Sequence, residues 1–462
     1  MAPMPFAEIR TIAAPATPPG RSALAVIRIS GPEAAQFCDE LFKPGKSFPR
    51  PSSMKPYTIA FGSWMNAAGE KLDEVVLAAF RAPQSYTGED VYEISCHGGP
   101  QIVKTVMESL MEVGAAMASA GEFTRQAFLN GKMDLTQAEA VMDLIDSESG
   151  LEQDTALREM DGILAQALRR FKEALLAVQA KTELILDFEE EDADPGELRI
   201  LLTEVEGVKE DILNLLSTWK QGRVLREGYR VVIAGLPNAG KSSLLNRFLG
   251  ENRAIVTEVA GTTRDTLEEK ISLNGVPVWL TDTAGLHDSD DKVEQEGIRR
   301  AEEAVKKADL LLWILDPERQ EESLTAWENT RQLMSPESKL IFLLGKADLD
   351  LPVRYHDLPG PLLHWSSQDE NALDSLRKAI ISTYEEEGGQ QEVLLHNLRH
   401  QACLEEAASH LTMAIEGMEK GLSLDLFAGM LRAALEALAR LTGESVSEEI
   451  AEAIFSRFCV GK

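Results

Sequence analysis

Cysteine is scarce in this chain: Cys38, Cys96, Cys403 and Cys459 are the four in 462 residues, with no CxxC spacing and no paired framework. That excludes a disulfide-stapled scaffold and a structural zinc site, and a reducing compartment is expected. Apolar runs long enough to span a bilayer are missing too, and the opening MAPMPFAEIR carries no basic stretch followed by an apolar one. The expectation is a cytoplasmic protein without membrane attachment. Basic residues are also in short supply. Lys and Arg number 46 against 76 Asp and Glu, a formal net charge of -30, which excludes tight nucleic-acid binding by the surface as a whole unless a local patch or a basic partner overrides it. What is present is length, enough for two or three domains with ordinary cores.

Up to about Gly121 the strand-like runs SALAVIRIS, KPYTIAFGSW, EVVLAAF and VYEISCH mix with helix-like stretches after Gly31 and Pro100. This reads as an α+β domain. From about Thr136 to Trp219 helical periodicity takes over, broken by DFEEEDADPG, Asp187 to Gly196, whose clustered like charges with Pro and Gly predict a solvated turn between helices. From Tyr229 the segments YRVVIAG, VPVWLTD, DLLLWILD and KLIFLLG alternate with polar and helical stretches until about Tyr384, the pattern of a parallel α/β sheet. EEKISL and VPVWLTD meet at Asn274-Gly275, a hairpin signal that makes one edge strand antiparallel. Helical periodicity returns after Gly389. The fold class expected is multi-domain, α/β plus all-α, with the α/β domain inserted into a discontinuous helical one, because an insertion whose ends lie close leaves the host core intact. The boundaries expected are 1–121, 122–227, 228–384 and 385–462.

GLPNAGKS, Gly235 to Ser242, has P-loop spacing, with an apolar strand before it and a helix-compatible SSLLNRFL after. A glycine-rich structural turn is the alternative, and the strand-loop-helix placement outweighs it. Backbone N–H groups of Asn238, Ala239, Gly240, Lys241, Ser242 and Ser243 would cradle a phosphate at a helix N-terminus. Lys241 would reach the β and γ oxygens and Ser242 would ligate magnesium. DTAG follows at a strand end, with Asp282 toward magnesium, Thr283 and Ala284 beside it, and the Gly285 amide toward a γ-phosphate. The base reader is expected as NKxD, and the matching place reads GKAD, Gly345 to Asp348. Asp348 can still accept two bonds from guanine N1 and N2, and the Lys346 stem can pack on the ring, so guanine preference should survive. The missing asparagine bond is worth about 0.5 to 1.5 kcal/mol. Ser366 and Ser367 fall where a loop near guanine O6 is expected. Leu286 stands where a small GTPase carries glutamine, so either something else runs the hydrolysis or the protein hydrolyses slowly and only switches. His97, in the HGGP turn, reads as structural because no partner acid can be placed beside it.

GTTRD, Gly261 to Asp265, fills the first switch, and with PNAGKSSLLN, DTAGL and the final FCVGK it makes the chain resemble the bacterial and organellar tRNA-uridine-modification GTPase family called MnmE or TrmE. ATPPGRSALAVIRISG, YTGEDVYEISCHGGP and GEFTRQAFLNGKMDLTQAEAVMDLI extend the resemblance over essentially the whole chain. It implies an N-terminal tetrahydrofolate-binding domain that dimerises, a discontinuous helical domain and an inserted Ras-like domain. It implies GTP-dependent addition of an aminomethyl or carboxymethylaminomethyl group to carbon 5 of the wobble uridine of certain tRNAs. The work is shared with a flavoprotein partner, MnmG or GidA, and the one-carbon unit comes from a tetrahydrofolate derivative, 5,10-methylenetetrahydrofolate or 5-formyltetrahydrofolate. Folate contacts carry over to Arg28, Glu93, Lys132 and Lys462, and Cys459 takes the place of a suspected reactive thiol whose alternative is a small buried hydrophobe. Thr263 is implied as a second magnesium ligand. A potassium ion is implied between Asn238, Thr257, Thr262 and the Val259 carbonyl, on the segment that also carries Glu258, Ala260 and Gly261. Glu294 is implied to orient the water, with Arg264 as a rival internal finger. The runner-up reading is a GTPase switch or assembly factor in ribosome biogenesis.

Overall fold

A computed structural model of the chain describes residues 10–187, 195–252, 268–283, 292–349, 351, 355, 358–366, 368–385 and 393–462, with backbone alone at 195, 251, 252, 292–298 and 370. The chain separates into two compact units, residues 1–146, 156–205 and 409–462 in one and 147–155 and 206–408 in the other.

In the first unit the strands are β1 (Ile12–Pro15), β2 (Leu24–Ser30), β3 (Phe42–Pro44), β4 (Thr58–Met65), β5 (Lys71–Phe80), β6 (Val91–His97) and β7 (Ala116–Met117). They form one sheet in the order β3-β4-β5-β6-β2-β1-β7. Alternation decides its faces. Ile27, Ile29, Leu77 and Ile94 point inward and are buried with Phe37, Leu41, Val106 and Leu110, which lie on α1 (Ala34–Leu41) and α2 (Pro100–Glu112). The opposite face leaves Leu24, Ile59, Phe61 and Val76 exposed. The register sets Arg28 on β2 opposite Glu93 on β6. Three of these strands, β1, β3 and β7, do not stand out in the sequence, because they have four, three and two residues and alternation needs length to show.

Helices follow: α3 (Glu122–Leu129), α4 (Leu135–Asp146), α5 (Gly150–Met160), α6 (Ile163–Asp187) and α7 (Pro195–Ser217). The acidic run predicted to separate two helices falls between α6 and α7, and its residues 188–194 lie outside the described ones.

The second unit, after its shares of α5 and α7, contains α8 (Trp219–Glu227), β8 (Tyr229–Gly235), α9 (Lys241–Asn252), β9 (Glu268–Leu273), β10 (Val276–Asp282), α10 (Lys292–Lys307), β11 (Leu310–Leu315), α11 (Gln320–Arg331), β12 (Lys339–Leu344), β13 (Leu362–His364) and α12 (Glu370–Glu385). The six-stranded sheet has the order β13-β12-β11-β8-β10-β9, and β9 alone is antiparallel to its neighbour. Asn274 and Gly275 both have positive φ, as a two-residue hairpin demands, so the predicted edge hairpin is found. Both faces are covered: Val231, Ile233, Leu312 and Ile314 pack on one side, Val232, Ala234, Leu311 and Trp313 on the other. Double burial is why these strands read as unbroken apolar runs, each such side chain contributing about 1.5 to 3 kcal/mol when fully buried.

The last helices are α13 (Leu398–Glu419), α14 (Leu424–Thr442) and α15 (Glu448–Phe455). In the first unit α14 packs against α6, burying Phe427, Leu431, Leu438 and Leu441 at helical spacing. The fold is therefore multi-domain, mixed sheets combined with helical layers.

Candidate functional site

In the second unit, β8 is buried on both faces and delivers the chain to Leu236, after which Pro237, Asn238 (φ 63°) and Gly240 (φ 102°) turn it into α9. The Lys241 side chain is buried and folds back over the turn, its Nζ donating to the carbonyls of Gly235 at 3.0 Å and Leu236 at 2.9 Å. Burial pulls its ammonium below the ordinary lysine range; the Arg319 guanidinium adds to this and Asp282 opposes it. A lysine so held is a charge lacking a counter-anion of full strength, which is what a polyphosphate supplies.

β10 runs parallel to β8, setting Asp282 beside Ile233 and hence beside the P-loop turn. The Ser242 hydroxyl donates to Asp282 Oδ2 at 2.8 Å, and Thr283 binds the Ile233 carbonyl through both its amide and its hydroxyl. Asp282 Oδ1 is buried with no hydrogen-bond partner among the described residues. An unsatisfied buried carboxylate oxygen beside a serine hydroxyl is costly alone and suits a hydrated divalent cation, so the donor set fits magnesium.

The base-reading segment follows β12. Gly345 donates to the Leu315 carbonyl and Ala347 to that of Trp365, so this loop is fastened to the ends of β11 and β13. Ser366 is buried and donates to Asp348 Oδ1 at 2.8 Å, which brings together two residues that the sequence proposes for the base. Lys346, with φ 52°, places its Nζ 3.2 and 3.3 Å from the two oxygens of Asp316 and against Glu318. Glu318 first, then Asp316, hold the Lys346 ammonium above its ordinary range. A Cβ at Gly345 would stand 2.9 Å from the Ala239 carbonyl oxygen, so the base loop and the P-loop touch backbone to backbone where the asparagine is missing.

In the first unit a second cluster forms. Arg28 donates to Glu93 Oε1 from Nε at 3.0 Å and from Nη2 at 2.8 Å, while Nη1 reaches the Gly461 carbonyl at 3.2 Å. The guanidinium also lies over the rings of Tyr86 and Phe123. The final residues are threaded in: Phe123 donates to the Lys462 carbonyl, Ala120 bridges Val460, and Gly461 (φ 98°) sits where a Cβ would meet the Pro15 carbonyl at 2.3 Å. Burial and the nearby Arg28 lower the Lys462 ammonium, with Glu93 and Cys459 opposing. Cys459 is exposed, against the buried-hydrophobe alternative, while Cys38, Cys96 and Cys403 are buried. Lys132 donates from Nζ to the Pro83 carbonyl at 2.9 Å and packs beside Gly88.

Thr257, Glu258, Val259, Ala260, Gly261, Thr262, Thr263, Arg264, Ala284, Gly285, Leu286 and Ser367 lie outside the described residues, and Glu294 is placed on α10 by backbone alone. The reading of His97 is corrected in one respect: a partner acid is present. Asp73, on β5 three positions before Val76, accepts from the His97 amide at 2.8 Å and lies 2.7 Å from its Nδ1. Sequence reasoning also missed Asp316 and Arg319. The one available signal was an aspartate closing the apolar run DLLLWILD.

A buried P-loop lysine, a Ser–Asp pair beside it and a base loop on a mostly parallel sheet define a P-loop nucleotide-binding domain of Ras-like order. The rest of the chain narrows the class. A family profile described as the MnmE helical domain matches residues 135–459, and one described as the GTP-binding protein TrmE N-terminus matches residues 11–132. The tRNA modification GTPase MnmE of Lacticaseibacillus paracasei is 40% identical over 460 residues, 98% of each chain. That of Syntrophotalea carbinolica is 40% identical over 460 residues, 98% of this chain and 99% of its own. Among solved structures, the FeoB G-domain from Methanococcus jannaschii is 21% identical, with 34% of this chain and 97% of that one covered and a TM-score of 0.27. The chain belongs to the tRNA modification GTPase MnmE family.

Proposed function

We propose that this family member is a potassium-activated GTPase that, with a flavoprotein partner, adds an aminomethyl or carboxymethylaminomethyl group to carbon 5 of the wobble uridine of certain tRNAs, drawing the one-carbon unit from tetrahydrofolate. The observation that carries this beyond a generic GTPase is the Arg28–Glu93 pair capped by the Gly461 carbonyl, with Lys462 beside it. Cationic side chains suit the glutamate carboxylates of a folate, and Glu93 can accept from pterin N–H donors. Lys132 is the fourth proposed contact, and exposed Cys459 is the proposed reactive thiol of that site.

At the nucleotide, Lys241 exchanges its two carbonyl partners for β and γ oxygens, and the amides of Asn238 to Ser243 hold the β-phosphate. Ser242 and Asp282 would hold magnesium, with Thr263 as the further ligand, and when bound it would supply positive charge against the phosphoryl oxygens. Asp348 reads guanine N1 and N2, supported by Ser366, while the Lys346 stem packs on the ring. Asn238, Thr257, Val259 and Thr262 supply oxygens for potassium, and Glu294 orients the attacking water in place of the glutamine absent at Leu286.

The open apolar sheet face carrying Leu24, Ile59, Phe61 and Val76 supports pairing with a second copy. The net charge of -30 supports holding tRNA mainly through the partner. Among the described residues no helix is long and apolar enough to cross a membrane.

Steady-state phosphate release in matched KCl and NaCl, with mant-GTP binding alongside, tests the hydrolytic part. Turnover should be much faster in potassium, and Glu294→Ala should lose turnover while keeping nucleotide affinity. Equal rates in the two salts, or a fully active Glu294→Ala, would refute the mechanism.

A further inference from the structure

The base-reading segment GKAD lacks the asparagine expected at its first position, yet its loop is held tightly against the P-loop. What does the holding is visible in one buried carboxylate. Asp316, just past the end of β11, is nearly inaccessible, and its side chain accepts from Lys346 Nζ at 3.2 and 3.3 Å, from Arg319 Nε at 3.3 Å and from the Glu318 amide at 3.1 Å. Its main chain is fixed as well, by the Ser323 hydroxyl on α11 and the Tyr355 hydroxyl. Arg319 then spans the gap: its Nη2 donates to the Pro237 carbonyl of the P-loop at 2.5 Å. A continuous path therefore runs from Pro237 through Arg319 and Asp316 to Lys346.

We propose that Arg319 and Asp316 form a strap that fixes the base loop to the P-loop, so that Asp348 meets guanine in register although GKAD lacks the asparagine. It rests on the nucleotide reading given above. The chemistry is suited to the task. Guanidinium is planar with five donors and can bridge a carbonyl and a carboxylate at once, where a lysine would satisfy one of them. Two of the carboxylate's three partners, Lys346 and Arg319, are cations whose bonds are charge-assisted, and Asp316 is too deeply buried for water to compete freely. The close approach explains the glycine in turn. With the strap drawn in, any side chain at 345 meets the Ala239 carbonyl oxygen at 2.9 Å, a backbone atom that cannot swing aside. Arg319 and Asp316 are positioning residues, acting on the base through Lys346, Pro237 and the loops they hold.

The test uses the full chain and mant-GDP. Arg319→Gln, at a side chain about one-third exposed and so tolerable to folding, should speed mant-GDP release by about tenfold or more, the scale of a lost charge-assisted bond. It should also lower the ratio of GDP to IDP affinity, because a misplaced Asp348 forfeits the contact to N2 that only guanine has. A merely structural loss would weaken both nucleotides equally. Arg319→Lys should recover part of the release rate, and Gly345→Asn should weaken binding although it restores the missing residue. Unchanged release and an unchanged GDP to IDP ratio in Arg319→Gln would overturn the strap, as would tighter binding by Gly345→Asn. Failure of the unsubstituted chain to bind mant-GDP at all would overturn the nucleotide reading itself, an outcome distinct from these.

Discussion

Ser242 and Asp282 meet at 2.8 Å between the first turn of α9 and the end of β10, and the second oxygen of Asp282 is buried without a partner among the described residues. The pair offers oxygens that fit the proposed magnesium. Removing the hydroxyl by Ser242→Ala should cost turnover about 10- to 100-fold at low magnesium, as expected for one bond to a charged group, and a large part should return at high magnesium. A magnesium titration of phosphate release reads this. A uniform loss at every magnesium concentration would contradict the assignment.

The final residues lie inside the Arg28 cluster, so deleting Cys459 to Lys462 removes both the Gly461 carbonyl that caps the guanidinium and the Lys462 ammonium. Calorimetry with 5-formyltetrahydrofolate should show affinity lowered about tenfold or more. Gly461→Ala should act in the same direction, since its Cβ would collide with the Pro15 carbonyl at 2.3 Å and its φ of 98° disfavours any side chain. Unaltered affinity in the truncation would take the tail out of the site.

Asp73 answers to pH. Burial pushes its carboxyl up, but the bonds from the His97 amide and ring and the Glu74 amide outweigh this and hold it below its ordinary value of 3.8. The folded value being the lower one, the stabilisation is present above 3.8 and is lost as pH falls below it toward the folded value. Asp73→Asn should therefore lose about 1 kcal/mol or more near neutrality, yet lose less than the unsubstituted chain on acidification. Urea unfolding at pH 7 and in the acid limb gives both numbers, and parallel pH profiles for the two chains would contradict the sign.

The sequence is most legible where a physical rule has little freedom. VVIAG before GLPNAGKS had to be a buried strand feeding a helix, and Asn274-Gly275 had to turn because both positions take positive φ. What it hides is whatever depends on distant segments. Nothing near Arg28 announces that the Gly461 carbonyl will cap it, and nothing near His97 announces Asp73, since those neighbours are made by sheet register and chain threading. Asp316 was overlooked for the same reason: an aspartate ending an apolar run looks like a strand terminus until Lys346 and Arg319 converge on it. The short strand β13, three residues beside Pro361, carries too little alternation to be seen, although it fixes Trp365 and Ser366 under the base loop.

A GTPase that serves wobble-uridine modification leaves its record in the tRNA nucleosides themselves. Mass spectrometry of digested tRNA from the parent organism and from cells lacking the protein should show the aminomethyl and carboxymethylaminomethyl groups at carbon 5 lost in the latter, leaving unmodified or only thiolated uridine, and restored by the unsubstituted chain. An unchanged set of wobble nucleosides in the cells lacking it would contradict the account and favour a switch whose products are conformations alone.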